Sequence, residues 1–285
     1  MNTICKLADI DTYLLYFIKI KSLLALTTIS KDQNTHMCNL DFVKELRTIA
    51  KTRGYNNIIN HAAFYGYISI LKWISDSINE FKYSYAIDYS AENGKIDVLE
   101  WFANSEYDFI YTEDAIDLAS YRGHIDVLEW FANSKYEFKY TTYAINNAAN
   151  KGHIDVLNWF ANSKYEFKYT INAINHAAKY GHIDVLDWFD KSKYEFKYTY
   201  AIEYAAGNGK IDVLNWFANS KYEFKYTEDA IIFAAVNKQI DVLEWFDKSN
   251  YEIKYHDWII DNAKRKGEME VYEWFKKYEL RNAGT

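Results

Sequence analysis

Residues 112–140 read TEDAIDLASYRGHIDVLEWFANSKYEFKY, and close copies of this phrase fill most of the chain. Eight of the nine tryptophans mark its return: Trp73, Trp101, Trp130, Trp159, Trp188, Trp216, Trp245 and Trp274, at steps of 28 or 29 residues. Seven of the ten glycines keep the same rhythm: Gly66, Gly94, Gly123, Gly152, Gly181, Gly209 and Gly267. Self-similarity at a fixed period in the 20–50 residue range is the mark of stacked repeats. Both shorter steps lose their residue at one place, around Ser84-Tyr85 and Thr199-Tyr200, where Tyr140 and Ala144 are separated by three residues. Length variation confined to one spot marks a loop.

Each copy predicts two short helices and an extended connector. The first helix covers roughly Glu113 to Arg122, with Ala115, Ile116 and Ala119 as its inner stripe. Alanine has the best helix propensity and lets helices approach closely. Gly123 is the stop, because glycine enters the left-handed region without a Cβ penalty. The second helix covers about His124 to Asn133, where Ile125, Val127, Leu128, Trp130 and Phe131 form a wide apolar face. Asp126 in its first turn suits the positive end of the helix dipole. Lys135-Tyr136-Glu137-Phe138-Lys139-Tyr140 alternates charge and ring, so extended backbone with rings on one side is expected, and little true sheet. One copy buries too little apolar area to fold alone, and stacking supplies the missing partner.

The expected architecture is all-α: a helical repeat solenoid of about eight helix pairs with N- and C-terminal caps, monomeric, without an internal boundary. Residues 1–54 depart from the pattern and read as an N-terminal helical cap with a degenerate half-repeat, residues 55–278 as the array, and residues 279–285 as a C-terminal tail. Lys264-Arg265-Lys266 replaces the small residues before Gly267, consistent with a polar terminal cap.

Composition excludes several classes. Net charge is −7; residues 1–60 carry 8 Lys/Arg against 5 Asp/Glu, and the remainder 25 against 35. An acidic array is a poor partner for phosphate backbones, so no nucleic acid is expected. Two cysteines, Cys5 and Cys38, make no disulfide framework and fit a reducing, intracellular compartment. The longest apolar run, Tyr13 to Leu26, is broken by Lys19 and Lys21 and preceded by Asp9 and Asp11, so neither a membrane helix nor a secretory signal is expected. Proline is absent, and lysine outnumbers arginine 28 to 5, a bias of AT-rich coding.

The string A-I-x-x-A-A-x-x-G-H-I-D-V-L resembles the ankyrin repeat, whose helix pair reads P-L-H-x-A-A-x-x-G-H-x-E-V-V-x-L-L-L. The resemblance covers about residues 55 to 278. Two departures stand out: Asp114-Ala115-Ile116-Asp117 occupies the place of the family's Thr-Pro-Leu-His, and the unit is about four residues shorter than the family's 33. The shortening falls where ankyrin repeats carry a β-hairpin finger, leaving open whether a finger survives or is reduced to the Tyr-Glu-Phe-Lys-Tyr connector. The short unit and the WFANSKYEFKYT phrase are similar to ankyrin-repeat proteins of mimivirus-like giant viruses. That implies a viral protein in the cytoplasm of an amoebal host cell.

Candidate sites divide into periodic and variable positions. The tryptophan column reads as filler between repeats rather than an aromatic ligand groove. His124, His153 and His182 read as packing or capping residues. Equivalent positions of stacked helices lie on the order of 10 Å apart, too far to share one zinc ion. His36 and Cys38 have no second ligand pair, so no metal and no cofactor is expected. No phosphate-cradling glycine loop, H-E-x-x-H or G-x-S-x-G occurs, and the carboxylates Asp97, Asp126, Asp155, Asp184, Asp212 and Asp241 are repeat-locked, so no enzyme is expected. The residues that vary on the fixed frame are Glu92, Asn93, Tyr121, Arg122, Asn150, Lys151, Lys179, Tyr180, Asn208 and Asn237, with Gly207 and Val236-Asn237 in the same register. Asn146-Asn147, Asn175-His176 and Glu203-Tyr204 vary within the first helix. The ankyrin resemblance places such residues on a concave recognition surface. The expected function is protein–protein interaction through that surface. The alternatives are an adaptor recruiting ubiquitin ligase machinery through residues 1–54, and a structural virion component.

Overall fold

The computed structural model describes residues 55–77, 83–249 and 251–282; the expected N-terminal cap lies outside them. The described residues form sixteen helices and no strand. First helices are α1 (Tyr55–Tyr65), α3 (Ala86–Glu92), α5 (Asp114–Arg122), α7 (Thr142–Lys151), α9 (Ile171–Tyr180), α11 (Ala201–Gly207), α13 (Asp229–Val236) and α15 (Trp258–Lys266). Second helices are α2 (Ile68–Ser77), α4 (Ile96–Ala103), α6 (Ile125–Asn133), α8 (Ile154–Asn162), α10 (Ile183–Lys191), α12 (Ile211–Asn219), α14 (Ile240–Lys248) and α16 (Met269–Asn282). α16 runs four residues beyond Tyr278, so helix replaces the start of the expected tail.

The chain divides into two compact units, residues 1–140 and 141–285. Each pair in a repeat stack touches only its neighbours, so a division can fall between any two pairs. Within each unit the chain is a helical repeat solenoid. Up to α13, each first helix packs closely on the next first helix of its unit, whereas successive second helices, and α13 against α15, meet at few points. Side-chain size explains the difference. The first-helix row meets through fully buried Ala144, Ala148 and Ala149, then Ala173, Ala177 and Ala178, then Ala201, Ala205 and Ala206. The second-helix row carries phenylalanine and tryptophan, which hold their helices apart.

The glycine closes each first helix as expected. Gly152 sits at φ +76°, and His153 N–H bonds back to Ala148 C=O at 2.9 Å, a Schellman-type closure. Lys238 takes this place in one repeat at φ 58°, the one described non-glycine residue with positive φ. The residue missing from the 28-residue steps comes from the first helix's N-terminal turn. α3 and α11 have seven residues where α7 and α9 have ten, and Tyr85 and Tyr200 stand at their N-caps without a side-chain cap bond. In the full-length copies, Thr141 and Thr170 cap the helix by accepting the N–H of Tyr143 and Asn172.

The connector is extended and unpaired, with no β-hairpin among the described residues. Its alternation is as expected: Lys193 and Glu195 are exposed, while Tyr194 and Phe196 are half-buried. Within each unit, the connector reaches the following repeat. Phe167 inserts beside Tyr194 at 4.0 Å and Trp188 at 5.4 Å between ring centroids, both stacked. Phe196 repeats this with Tyr222 at 4.1 Å and Trp216 at 5.5 Å. Tyr169 Oη donates to Glu195 C=O at 2.7 Å, and Tyr111 and Tyr226 make the equivalent bonds to Glu137 and Glu252. Burial pushes Tyr111 and Tyr226 up to about 12, which keeps these phenols protonated as donors.

Six tryptophans are less enclosed than the expected core filler, whereas Trp274 is buried as expected. Trp101, Trp130, Trp159, Trp188, Trp216 and Trp245 are half-buried on the second-helix row. Full burial belongs to the next residue: Phe102, Phe131, Phe160, Phe189, Phe217, Phe246 and Phe275. The indole is a bridge, since Trp188 Nε1–H donates to Asn158 Oδ1 and Trp216 Nε1–H to Asp187 Oδ1, both at 2.7 Å. An indole carries a polar handle that needs a partner, and the helix surface offers one where a closed core does not.

The candidate interaction face and its buried support

A column of buried polar side chains lies beneath the first-helix row. Asp88, Asp117, Asn146, Asn175 and Glu203 are almost fully buried. This overturns the expectation that Asn146, Asn175 and Glu203 vary on a solvent face. Asp88, Asn146, Asn175 and Glu203 each reach the threonine ahead of the next first helix, and Asn175 also accepts the Tyr200 N–H at 3.3 Å. Asp88 Oδ1 accepts the Thr112 N–H at 2.8 Å, Asn146 Oδ1 the Thr170 N–H at 3.0 Å, Asn175 Oδ1 the Thr199 N–H at 3.1 Å, and Glu203 Oε1 the Thr227 N–H at 2.9 Å. Thr170 therefore joins two repeats, since its hydroxyl caps its own helix and also accepts from Asn146 Nδ2 at 2.9 Å. Backbone donors at a helix start need partners when sheltered from water. The sequence signal was available: only Asp, Asn or Glu fills this place in the five repeats from Asp88 to Glu203.

Amide and carboxylate are not equal there. Burial is the main cause holding Asp88 above its ordinary value, opposed by the Thr112 hydrogen bonds, and its Oδ2 has no hydrogen-bond partner. A carboxyl raised in the fold contributes most when protonated, below its unfolded value of 3.8, and loses that contribution as pH rises through the folded value. Asp88→Asn is therefore expected to stabilise the fold at pH 7, by on the order of 1 kcal/mol, since an unsatisfied buried group costs about 1–3 kcal/mol. The gain is expected to shrink as pH falls towards 4. Urea titrations of both proteins at pH 7 and pH 4 check this; a destabilised variant at pH 7 refutes it.

The histidine column packs on the glycine turns. His182 lies against Gly152, and its Nε2–H donates to Asn150 C=O at 2.9 Å. His124 lies against Gly94 in the same way, and Lys95 and Lys210 fill the place beside Gly66 and Gly181.

The exposed face of each first helix carries the residues that vary. Within the first unit, Arg122 is exposed and pairs with Glu92 at 2.8 Å, while Glu92, Asn93 and Tyr121 are half-buried. The Arg122 guanidinium lies 5.6 Å from the Tyr121 ring centroid. Within the second unit, Lys151, Tyr180, Asn208 and Asn237 are exposed, and Asn150 and Lys179 half-buried. Lys179 Nζ lies 5.4 Å from the Tyr180 ring and 5.8 Å from that of Tyr204. Asn208 donates to Tyr204 C=O at 2.8 Å and Asn237 to Gly207 C=O at 2.9 Å. Burial holds the His176 imidazole below its ordinary value, and Lys179 adds to this, so His176 sits neutral among them. The opposite, second-helix row offers an open groove lined by Ile183, Asp212, Asn215, Trp216 and Asn219. Its Asp190 is occupied by Lys221 Nζ at 2.7 Å and Tyr222 Oη at 2.9 Å. Among the described residues, no three His, Cys, Asp or Glu side chains gather as a metal site, and no helix is long and apolar enough to cross a membrane.

These features define a helical-repeat protein: an invariant buried frame carrying a variable exposed face. No protein-family model matches the chain, and no curated protein matches it.

Proposed function

We propose that this chain is a non-enzymatic protein-binding scaffold of ankyrin-like repeats that recognises a protein partner through the exposed face of its first helices. The carrying observation is the contrast within one helix. Alanine, isoleucine and the buried polar residue repeat at fixed places, while Tyr121, Arg122, Lys151, Tyr180, Asn208 and Asn237 change from copy to copy on the open side. Tyrosine and arginine are favoured at interface hot spots. Half-exposed ion pairs such as Arg122–Glu92 contribute little to folding, which leaves these residues to recognition. The resemblance to giant-virus repeat proteins supports a viral product acting in the cytoplasm of its host cell.

The test is affinity purification of the whole chain from host cells, followed by binding of the recovered partner to the Tyr121→Ala, Arg122→Ala, Tyr180→Ala triple variant. The expected result is at least a tenfold loss of affinity with stability changed by no more than about 0.5 kcal/mol per site. Unchanged affinity refutes the face. Recovery of ligase subunits bound to residues 1–54 would favour the adaptor reading, and recovery of capsid proteins the structural one.

A further inference from the structure

The residue that opens each first helix alternates from repeat to repeat. Counting back one place from the buried Ala-Ile pair gives Tyr85, Asp114, Tyr143, Asn172, Tyr200 and Asp229, and then Trp258 before Ile259-Ile260. Every second copy presents an aromatic ring, and the copies between present a short polar or acidic side chain. The 29-residue repeat therefore carries a two-repeat periodicity that neither the helix pair nor its core requires. The rings are open: Tyr143 is 63% exposed, Tyr200 46% and Trp258 48%, with Ile171 at 38% in the copy between the first two. Tyr85, at 50%, holds the same register in the first unit.

Charge accompanies the rings. Glu228 and Asp229 open the copy between Tyr200 and Trp258, and Asp257 precedes Trp258. Glu228 and Asp257 are exposed and Asp229 is half-buried. His256 lies beside them, with Nε2 3.5 Å from Glu228 Oε1. Large exposed aromatics in register with these carboxylates suit a partner that brings both apolar and basic side chains.

We infer that the surface of the second unit carrying Tyr200, Glu228, Asp229 and Trp258 binds an extended basic polypeptide segment whose apolar anchors engage Tyr200 and Trp258, and whose lysine or arginine between them faces Glu228 and Asp229. This deepens the scaffold reading and rests on it. Spacing fixes the register. Packed helices lie about 8–10 Å apart, so alternate copies lie about 16–20 Å apart; α13 and α15 meet at few points, which puts this span at the upper end. An extended chain rises about 3.3 Å per residue and alternates its side chains, so the anchors stand about six residues apart, an even offset that puts both on one face, with the basic residue two or four places after the first anchor.

The test uses the full chain and three fluorescein-labelled peptides. One carries two leucines six residues apart with lysine four residues after the first leucine, on the same face of the extended chain, the second has glutamate in place of that lysine, and the third sets the leucines three residues apart. Fluorescence anisotropy is expected to give at least tenfold tighter binding of the first. The Tyr200→Ser, Trp258→Ser double variant is expected to lose that binding tenfold or more while its thermal unfolding is unchanged. Glu228→Lys, an exposed change that leaves the core intact, is expected to shift preference towards the glutamate peptide. Equal binding of the three peptides, binding indifferent to both variants, or no binding at millimolar peptide overturns the inference. If the peptides fail but the Tyr121, Arg122, Tyr180 variant still loses a recovered partner, the scaffold reading survives this inference; if both fail, both fall.

Discussion

Phe189→Ala is expected to cost about 3–5 kcal/mol, the range for emptying an aromatic core site. Phe189 is 1% exposed and touches the preceding connector, with ring centroids 5.4 Å from Tyr169 and 6.2 Å from Phe167. Its removal therefore empties a cavity and frees the connector that ties two repeats. The neighbouring indole gives the contrast. Trp188 is half-buried, so Trp188→Phe keeps a ring against Phe167 and loses chiefly the bond to Asn158, on the order of 1 kcal/mol. Contacts in a repeat stack run only between neighbours, so the damage is expected to stay local. Hydrogen exchange should show α9 to α12 deprotected in Phe189→Ala while α15 and α16 keep most of their protection. A Phe189→Ala loss no greater than that of Trp188→Phe, measured by urea unfolding, would show that the tryptophan column carries the core after all.

Gly152→Ala is expected to destabilise by about 2–4 kcal/mol, from two separable causes. At φ +76° an L side chain is strained, at a cost of roughly 1–2 kcal/mol. The new Cβ would also lie 2.8 Å from His182 Nδ1 and 3.1 Å from Cε1. That ring cannot retreat without giving up its bond to Asn150 C=O. A double-mutant cycle separates the causes. In a His182→Ala background the collision disappears and the backbone strain remains, so Gly152→Ala is expected to cost less there. Equal costs in both backgrounds would remove the histidine from the account and leave the glycine as a turn residue alone.

Much of the helix plan was legible from residues 112–140. Helices expected at roughly Glu113 to Arg122 and His124 to Asn133 are found at Asp114–Arg122 and Ile125–Asn133. Local signals sufficed there: alanine spacing, a glycine stop and a wide apolar run. The variable positions were also readable, because a repeat supplies its own internal comparison. Their exposure was not, and Asn146, Asn175 and Glu203 show why. A polar residue that varies reads as a surface residue until its partner is known, and the Thr170, Thr199 and Thr227 backbone N–H groups lie 24 residues away.

The sequence by itself determined the period, the two helices of each copy, the glycine closures and the extended connector, since each depends on residues within one copy. Tertiary structure decided what passes between copies. It set phenylalanine rather than tryptophan at the centre, because the indole N–H needs an acceptor and finds Asn158, Asp187 or Asn215 on the preceding second helix. It placed His124 and His182 against the preceding glycine turns, and Asp88, Asn146, Asn175 and Glu203 under the next threonine. These pairings join residues 24 to 32 positions apart, beyond the reach of any propensity or helical period, and only the stacking of one copy on the next brings them together.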